Sequence, residues 1–130
     1  MPPGASVAKK RVSASASLAP AARQDVREIL RWSEEKFGKR AQERYRALLK
    51  QALRDIEADP ELPGSKQRVE IMIEGARIYH LSYSRRRVKG PGVKDPRHFI
   101  LYRKREDGVI EVGRVLHDDC ELERHIPEDY

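Results

Sequence analysis

The period of apolar and polar side chains changes several times along the chain, and each change marks the boundary of a predicted element. Near the N-terminus, apolar residues alternate with serines in the order Val12, Ala14, Ala16 and Leu18. A period of two places alternate side chains on one face of an extended chain. We therefore expect a short strand that ends at Leu18.

A period near 3.6 follows and predicts two helices. Pro20 suits a first helical position, and the first helix is expected over about 21–37. Its apolar stripe is Val26, Ile29, Leu30, Ser33 and Phe37. The second helix is expected over about 39–58, with the stripe Ala41, Tyr45, Leu48, Leu49, Ala52, Leu53 and Ile56. Because only Gly38 separates them, the helices should form an antiparallel hairpin, and the two prolines in 59–64 end the second one.

Shorter patterns beyond the helices predict strands. Aromatic and aliphatic residues alternate with polar ones in 76–84, through Tyr79, Leu81 and Tyr83. The segment 98–102 is apolar on both faces, which is typical of an inner strand. A further strand is expected over 109–116, and Asp107-Gly108 before it is a strong hairpin-turn signal.

These elements predict an α+β fold, in which a helical hairpin packs on a small antiparallel sheet in the order β-α-α-β-β-β. The segment 66–74 is compatible with either a loop or a further short strand. A short C-terminal helix completes the fold, and we expect one domain over 9–127 after a disordered lead-in at 1–8.

A basic loop interrupts this order at 84–97. It carries six cations, Arg85, Arg86, Arg87, Lys89, Lys94 and Arg97, against Asp95 alone. A loop of this length is usually either functional or disordered. It is therefore either a solvated insertion without function, which we favour because charge runs are usually solvated, or a contact for a phosphate backbone or an acidic partner.

Composition narrows the class of protein. The 130 residues have a formal net charge of +6 and a sequence pI of about 9.6, so an acidic partner is favoured: nucleic acid, an anionic membrane or an acidic protein. Cys120 is the only cysteine, which excludes an internal disulfide and fits a reducing cytoplasm. No apolar run approaches the roughly 20 residues that span a bilayer, so we expect a cytoplasmic protein without membrane contact.

Motifs for cofactor or nucleophile chemistry are weak. The sequence lacks the glycine-rich phosphate-binding patterns and the G-x-S-x-G elbow. The ligand candidates His117, Cys120 and His125 lack the paired spacing of a zinc site, and Cys120 with His117 lacks a marked oxyanion site. We therefore expect no metal and no cofactor.

The same C-terminal stretch is explained better as the start of a docking helix. Asp118 or Asp119 can cap it, and Asp118 and Glu121 have capping-box spacing. Arg124 near its end complements the helix dipole. Cys120 then serves as a small, partly buried apolar group.

Acid–base cleavage of RNA is a separate hypothesis. Its candidates on predicted strands or strand ends are Arg77, His80, Arg103, Arg114 and His117. A solvated basic sheet edge is the interpretation we favour for them. The chain has no aromatic motif of the kind that stacks RNA bases.

Four segments in this order resemble the ParE toxins of the RelE/ParE toxin–antitoxin superfamily. They are "LAPAARQDVREI" at 18–29, "YRALLKQALRDIEADP" at 45–60, "ILYRKREDGVIEVGRVLH" at 100–117 and "ERHIP" at 123–127. The sequence departs from the pattern at Ala19, where a serine is usual, at Cys120, where methionine is frequent, and in the longer basic loop.

The resemblance implies a toxin that poisons DNA gyrase by binding and that a cognate antitoxin holds inactive. RelE-like relatives instead cut messenger RNA on the ribosome, which is the alternative, and an inactive antitoxin-binding scaffold is a third. We expect a non-enzymatic toxin with no more than secondary contact to nucleic acid. Candidate partner contacts are Trp32, Tyr45, Tyr79, Tyr83 and Arg103, although for Tyr45 we favour a position in the core.

Overall fold

The computed structural model describes residues 16–68 and 73–120, which form a helical hairpin on one sheet. The strands are β1 (Ser17–Leu18), β2 (Lys66–Gln67), β3 (Arg77–His80), β4 (His98–Lys104) and β5 (Ile110–His117). The helices are α1 (Pro20–Phe37), α2 (Lys39–Ala58) and a 3-10 helix, Leu81–Arg87, between β3 and β4. None of these helices, within the described ranges, is long and apolar enough to cross a membrane.

The two long helices confirm the 3.6-residue pattern, and Gly38 separates them. Its φ of 95° is a left-handed backbone conformation that glycine adopts without a Cβ clash, so one residue suffices for the reversal. The Gly38 N–H donates to the Glu34 carbonyl at 2.9 Å and closes α1. One residue of the predicted stripe was placed wrongly, because Phe37 in the last turn of α1 is 66% exposed.

The sheet has the order β1-β5-β4-β3-β2. The pairs β2–β3, β3–β4 and β4–β5 are antiparallel, and the predicted α+β architecture is confirmed. The sheet is nevertheless mixed, because β1 runs parallel to β5. An antiparallel pair is required only where a tight turn joins the two strands. The helical hairpin and three further strands separate β1 from β5, so this pair can be parallel.

The β4–β5 hairpin confirms two expectations. Every residue from His98 to Tyr102 is buried, as an inner strand requires, and the turn at Asp107-Gly108 places Gly108 at φ 88°. A bulge shifts the register after Leu101, so that Arg114 pairs with Leu101 while Val112 pairs with Tyr102. Gly113 between them is the extra residue.

Residues 76–84 do not form the single strand that their alternation predicts. Strand β3 ends at His80, and the chain turns into the 3-10 helix at Leu81. The His80 side chain accepts a hydrogen bond from the Ser82 N–H at 3.1 Å, which caps the helix start. The predicted loop at 84–97 therefore begins inside this helix, and the rest of it is irregular.

Apolar side chains fill the space between the hairpin and the sheet. The largest fully buried ones are Tyr79, Tyr102, Leu48, Ile56, Leu81, Ile100 and Val112. A smaller cluster contains Ala76, Phe99, Leu101 and Leu116, with Cys120 packed against it. Cys120 is partly buried, as expected for a small apolar group.

Four sequence predictions concern residues outside the described ranges. They are the lead-in at 1–8, the part of the first strand before Ala16, the central part of 66–74, and the C-terminal helix from residue 121 onward. Within 66–74 the described part includes strand β2.

Candidate functional site

The hairpin leaves an apolar cavity between its helices above the edge of the sheet. This interhelical seam has a volume of about 120 Å³ and is lined by Leu18, Val26, Leu30, Leu49, Leu53, Ile100, Val112 and Val115, with Arg46 and Lys50 beside it. Leu18, Val26 and Leu53 are only partly buried. The seam thus has an apolar floor that is open to a partner and two cations at its rim.

Asp25 holds one wall of the seam in place. The residue is 8% exposed, and its carboxylate accepts hydrogen bonds from Arg114 Nε at 2.7 Å and from Arg114 Nη2 at 2.8 Å. The backbone N–H of Val115 donates to the same carboxylate at 2.9 Å. Asp25 therefore fixes α1 to β5, and its hydrogen bond raises the pKa of Arg114.

An aromatic patch lies at the end of α1. Trp32, 40% exposed, meets Phe37 edge-on with ring centroids 5.6 Å apart. Trp32 also stands edge-on to His98 at 6.5 Å and lines a cleft of about 490 Å³ between α1 and β5. Trp32 is therefore exposed as a partner anchor must be, and Phe37 is a further exposed aromatic residue that the apolar stripe had assigned to the core.

Tyr45 belongs to the core and not to the surface. It is 6% exposed, its hydroxyl accepts from the Arg97 N–H at 3.1 Å, and it lies 2.6 Å from His98 Nδ1. Because the hydroxyl oxygen already accepts from Arg97, its proton points to His98, which is neutral. Burial raises the pKa of Tyr45 to about 12, and burial with the nearby His117 lowers the pKa of His98 to about 4.

The other candidate partner contacts divide between core and surface. Tyr79 is 1% exposed and its hydroxyl contacts Ser84 Oγ at 2.7 Å, so its assignment as an anchor is wrong. Tyr83 is 50% exposed and packs its ring over Gly64, where a Cβ would approach the ring to 2.6 Å. Arg103 pairs with Glu111 at 2.9 Å across β4 and β5.

The candidate RNase residues do not converge. Arg77 is paired with Tyr102 at one end of β4 and donates to Ser65 Oγ at 2.6 Å, whereas His117 is paired with His98 at the other end. Four residues along a strand correspond to about 13 Å. Arg103 is held by Glu111 and Arg114 by Asp25, so each cation has a different structural partner.

His80, the remaining RNase candidate, joins a carboxylate that sequence reasoning treated as a helix cap. Asp118 accepts from His80 Nε2 and from Arg97 Nη2, each at 3.0 Å. Partial burial raises the pKa of Asp118, but these hydrogen bonds outweigh it and the pKa is lowered. His80 and Asp118 line a cleft of about 530 Å³, which Tyr83 also lines. Nothing in the sequence marks this contact, because 38 residues separate the His80–Asp118 pair.

Cys120 and the histidines give little support to metal or thiol chemistry. Burial is the main cause of the raised pKa of Cys120, so the thiol is protonated near neutral pH. His117 Nδ1 lies 2.7 Å from Asp119 Oδ1. Within residues 16–68 and 73–120, no three metal-ligating side chains are placed to share an ion, and His125 lies outside those ranges.

The basic loop is partly tied to the fold. Arg85 donates to the Lys94 carbonyl at 2.6 Å, Arg97 reaches Asp95 and Asp118, and Arg87 lies 3.4 Å from Asp55. Arg86, Lys89 and Lys94 are exposed. The segment from Arg87 to Lys89 also forms one wall of a groove whose other wall is α2.

Fold and surface together define a small basic α+β protein with an open apolar seam and no converging set of catalytic side chains among the described candidates. Residues 16–119 match the family described as the ParE toxin of the type II toxin-antitoxin system, parDE. The chain belongs to this ParE toxin family. The search of curated proteins gave no match.

Proposed function

We propose that this type II toxin inhibits DNA gyrase by binding to it, without a catalytic step of its own. The observation that carries the proposal is the ParE family match over residues 16–119. The separation of Arg77, Arg103, Arg114 and His117 supports it, because RNA cleavage needs its acid and base around one phosphate. Each of these side chains has a hydrogen-bond partner within the fold.

The antitoxin partner that the family implies would occupy the interhelical seam. An amphipathic helix can place its apolar side chains on Val26, Leu49 and Leu53 and its acidic side chains against Arg46 and Lys50. Trp32 and Phe37 extend the apolar surface at the end of α1 and offer aromatic anchors. The net charge of +6 would accelerate the encounter with an acidic antitoxin.

Two assays in parallel test the proposed target. Purified protein is added to a gyrase supercoiling reaction and to an in-vitro translation reaction in which mRNA cleavage is read out. We expect inhibition of supercoiling and intact mRNA. Cleavage of mRNA that is lost in Arg77→Ala or Arg103→Ala would replace the proposal with a ribosome-dependent endonuclease, and silence in both assays would identify an inactive antitoxin-binding scaffold.

The proposed anchor is tested separately. Trp32→Ala should weaken antitoxin binding by about tenfold or more, measured by calorimetry, because the indole is the larger of two exposed rings in contact. Tyr83→Ala removes the other exposed candidate anchor, which is 50% exposed against 40% for Trp32, and a loss in that variant alone would assign the anchor to Tyr83. An unchanged affinity in Trp32→Ala would refute the anchor without affecting the gyrase proposal.

A further inference from the structure

A basic groove lies between α2 and the segment that follows the 3-10 helix. It has a volume of about 440 Å³ and is lined by Glu43, Arg46, Ala47, Lys50, Gln51, Arg54, Arg87, Val88 and Lys89. Five of these side chains are cationic and Glu43 is the one acid among them. The antitoxin contact proposed above involves Arg46 and Lys50 at the border of this groove but makes no use of Arg54, Arg87 or Lys89.

Three of the cations follow one another along α2. Arg46, Lys50 and Arg54 recur at every fourth position and are exposed. Four residues advance an α-helix by about 6 Å, which is close to the separation of consecutive phosphates along one strand of a nucleic acid. A strand that follows the helix axis can therefore place one phosphate beside each cation.

The positive charge of the groove is largely uncompensated. Within the described residues, Arg46, Lys50 and Lys89 take part in no ion pair, and Arg54 donates to the neutral Gln51 side chain at 3.3 Å. Arg87 pairs with Asp55 at 3.4 Å, yet its side chain remains 58% exposed. Arg46, Lys50 and Lys89 can thus bind an anion without first leaving a carboxylate partner. Arg54 interacts electrostatically with the Glu57 carboxylate.

Arg87 is positioned by Asp55, which is buried and hydrogen-bonded to two further side chains. Asp55 is 8% exposed and accepts from Ser84 Oγ at 2.6 Å and from Gln51 Nε2 at 2.9 Å. Ser84 belongs to the 3-10 helix and Asp55 to α2, so the bond between them fixes the two walls of the groove relative to each other. The cations on both walls consequently keep their spacing before a ligand arrives.

The lining favours nucleic acid over a protein partner. Protein interfaces have an apolar or aromatic centre with few charges, whereas protein–DNA interfaces are markedly more positive and polar. Among the described residues that line the groove, the apolar ones are Ala47 and Val88, and none is aromatic. Single-stranded nucleic acids are usually bound by base stacking on aromatic rings, so the lining favours a duplex.

We propose that the groove between α2 and residues 87–89 binds the sugar–phosphate backbone of duplex DNA without reading its sequence. Arg46, Lys50 and Arg54 contact successive phosphates of one strand, and Arg87 and Lys89 contact it from the opposite wall. This function is separate from gyrase inhibition, and it shares Arg46 and Lys50 with the proposed antitoxin contact. The experiment below contains neither partner, so its failure leaves the proposed toxin function intact.

The test measures the anisotropy of a short fluorescent DNA duplex of arbitrary sequence as the full chain is added. Five phosphate contacts predict a slope of about −4.5 for log affinity against log salt, or a loss of about 500-fold between roughly 50 and 200 mM salt. The double variant Arg54→Glu/Lys89→Glu should lower the affinity at least about tenfold and reduce the slope to about −2.7.

The double variant Lys104→Glu/Arg105→Glu is the matched control. It makes the same change in net charge at exposed positions around the end of β4, and it should leave the affinity within about threefold. An equal loss in both variants would show that only overall charge matters and would overturn the proposal. Stronger binding of a single strand, or of polyglutamate as a competitor, would overturn the duplex as the ligand. Thermal unfolding of each variant verifies that the fold is kept.

Discussion

The two flanks of α2 differ in chemical character, because one lines an apolar seam and the other lines a basic groove. Toward α1 the helix presents Leu49 and Leu53 to the interhelical seam, and toward the 3-10 helix it presents Arg54 to the basic groove. Arg46 and Lys50 lie between the two and line both. A partner in the seam would bind by removing apolar surface from water, whereas one in the groove would bind by releasing counterions.

Each flank is held by its own buried aspartate. Asp25 and Asp55 are both 8% exposed. Asp25 joins α1 to β5 beside the seam, and Asp55 joins α2 to the 3-10 helix beside the groove. The difference lies in their cations, because the Arg114 side chain is 21% exposed and the Arg87 side chain 58%. The salt bridge beside the seam is therefore the less screened of the two.

The largest effect should come from Asp25→Ala. The substitution leaves a partly buried guanidinium and the Val115 N–H without their acceptor, so we expect the free energy of unfolding to fall by about 4 kcal/mol. Urea unfolding followed by circular dichroism measures it. The seam should loosen with its wall, and antitoxin affinity should fall in parallel. A loss no larger than that of Asp55→Ala would contradict the proposed difference between the flanks.

Acid should lower the free energy of unfolding through His98, which lies at the start of β4 and contacts Trp32 and Tyr45. Its pKa is lowered to about 4 by burial and by His117, while the unfolded chain takes up the proton near 6.5. The contribution of His98 to the free energy of unfolding is therefore fully present above about pH 6.5. It declines as the pH falls and is lost below about pH 4, a total decrease of about 3 kcal/mol. Asp118, whose pKa is lowered, contributes in the same direction at lower pH.

The variant His98→Phe isolates that contribution. Phenylalanine does not titrate. Between about pH 6.5 and 4 the free energy of unfolding of the variant should therefore fall by about 3 kcal/mol less than that of the parent chain. Chemical unfolding at a series of pH values provides the comparison. Parallel pH profiles for the two chains would show that His98 is not held neutral by its surroundings.

Leu53→Glu should separate the two surfaces by function. A carboxylate at the apolar seam should lower antitoxin affinity about 100-fold, equivalent to roughly 2.7 kcal/mol. Arg54→Glu, the adjacent position on the other flank, makes a larger change in charge and should lower that affinity less than tenfold, or about 1 kcal/mol. A greater loss in Arg54→Glu would place the antitoxin in the basic groove.

The smallest effect is expected from Asp55→Ala. The variant removes the acceptor for Ser84 and Gln51, but Arg87 remains hydrated, so the unfolding free energy should fall by about 2 kcal/mol. DNA affinity should fall as well, because the walls of the groove lose their connection. Asp55→Asn keeps an acceptor and should recover part of both losses. Unchanged DNA affinity in Asp55→Ala would refute the positioning role of Asp55.

The sequence allowed the long elements to be predicted better than the contacts between them. The bounds of α1 and α2 follow from a sustained apolar stripe and Gly38, and the β4–β5 hairpin follows from Asp107-Gly108. The 3-10 helix was missed because Tyr79, Leu81 and Tyr83 also fit the period of a strand. The helix is stabilised by a local hydrogen bond from the Ser82 N–H to His80 and by a long-range one from Ser84 to Asp55, and periodicity registers neither.

The candidate site was predicted only in part. Trp32 and Tyr83 are exposed as anchors must be, whereas Tyr45 and Tyr79 are buried in the core between the hairpin and the sheet. The basic character of the 84–97 segment was evident, but its pairing with α2 was not, because the two walls of the groove come from separate stretches of chain. Asp25 likewise lies 89 residues from Arg114, its partner, so no local pattern could reveal the salt bridge.

The most direct test of the central claim is a gyrase supercoiling assay in which the toxin is titrated and then neutralised. We expect supercoiling to fall as toxin is added and to return when the cognate antitoxin reaches equal amounts, with Leu53→Glu toxin requiring a large excess of antitoxin. Full supercoiling at every toxin concentration, together with cleavage of mRNA in a translation extract, would contradict the account.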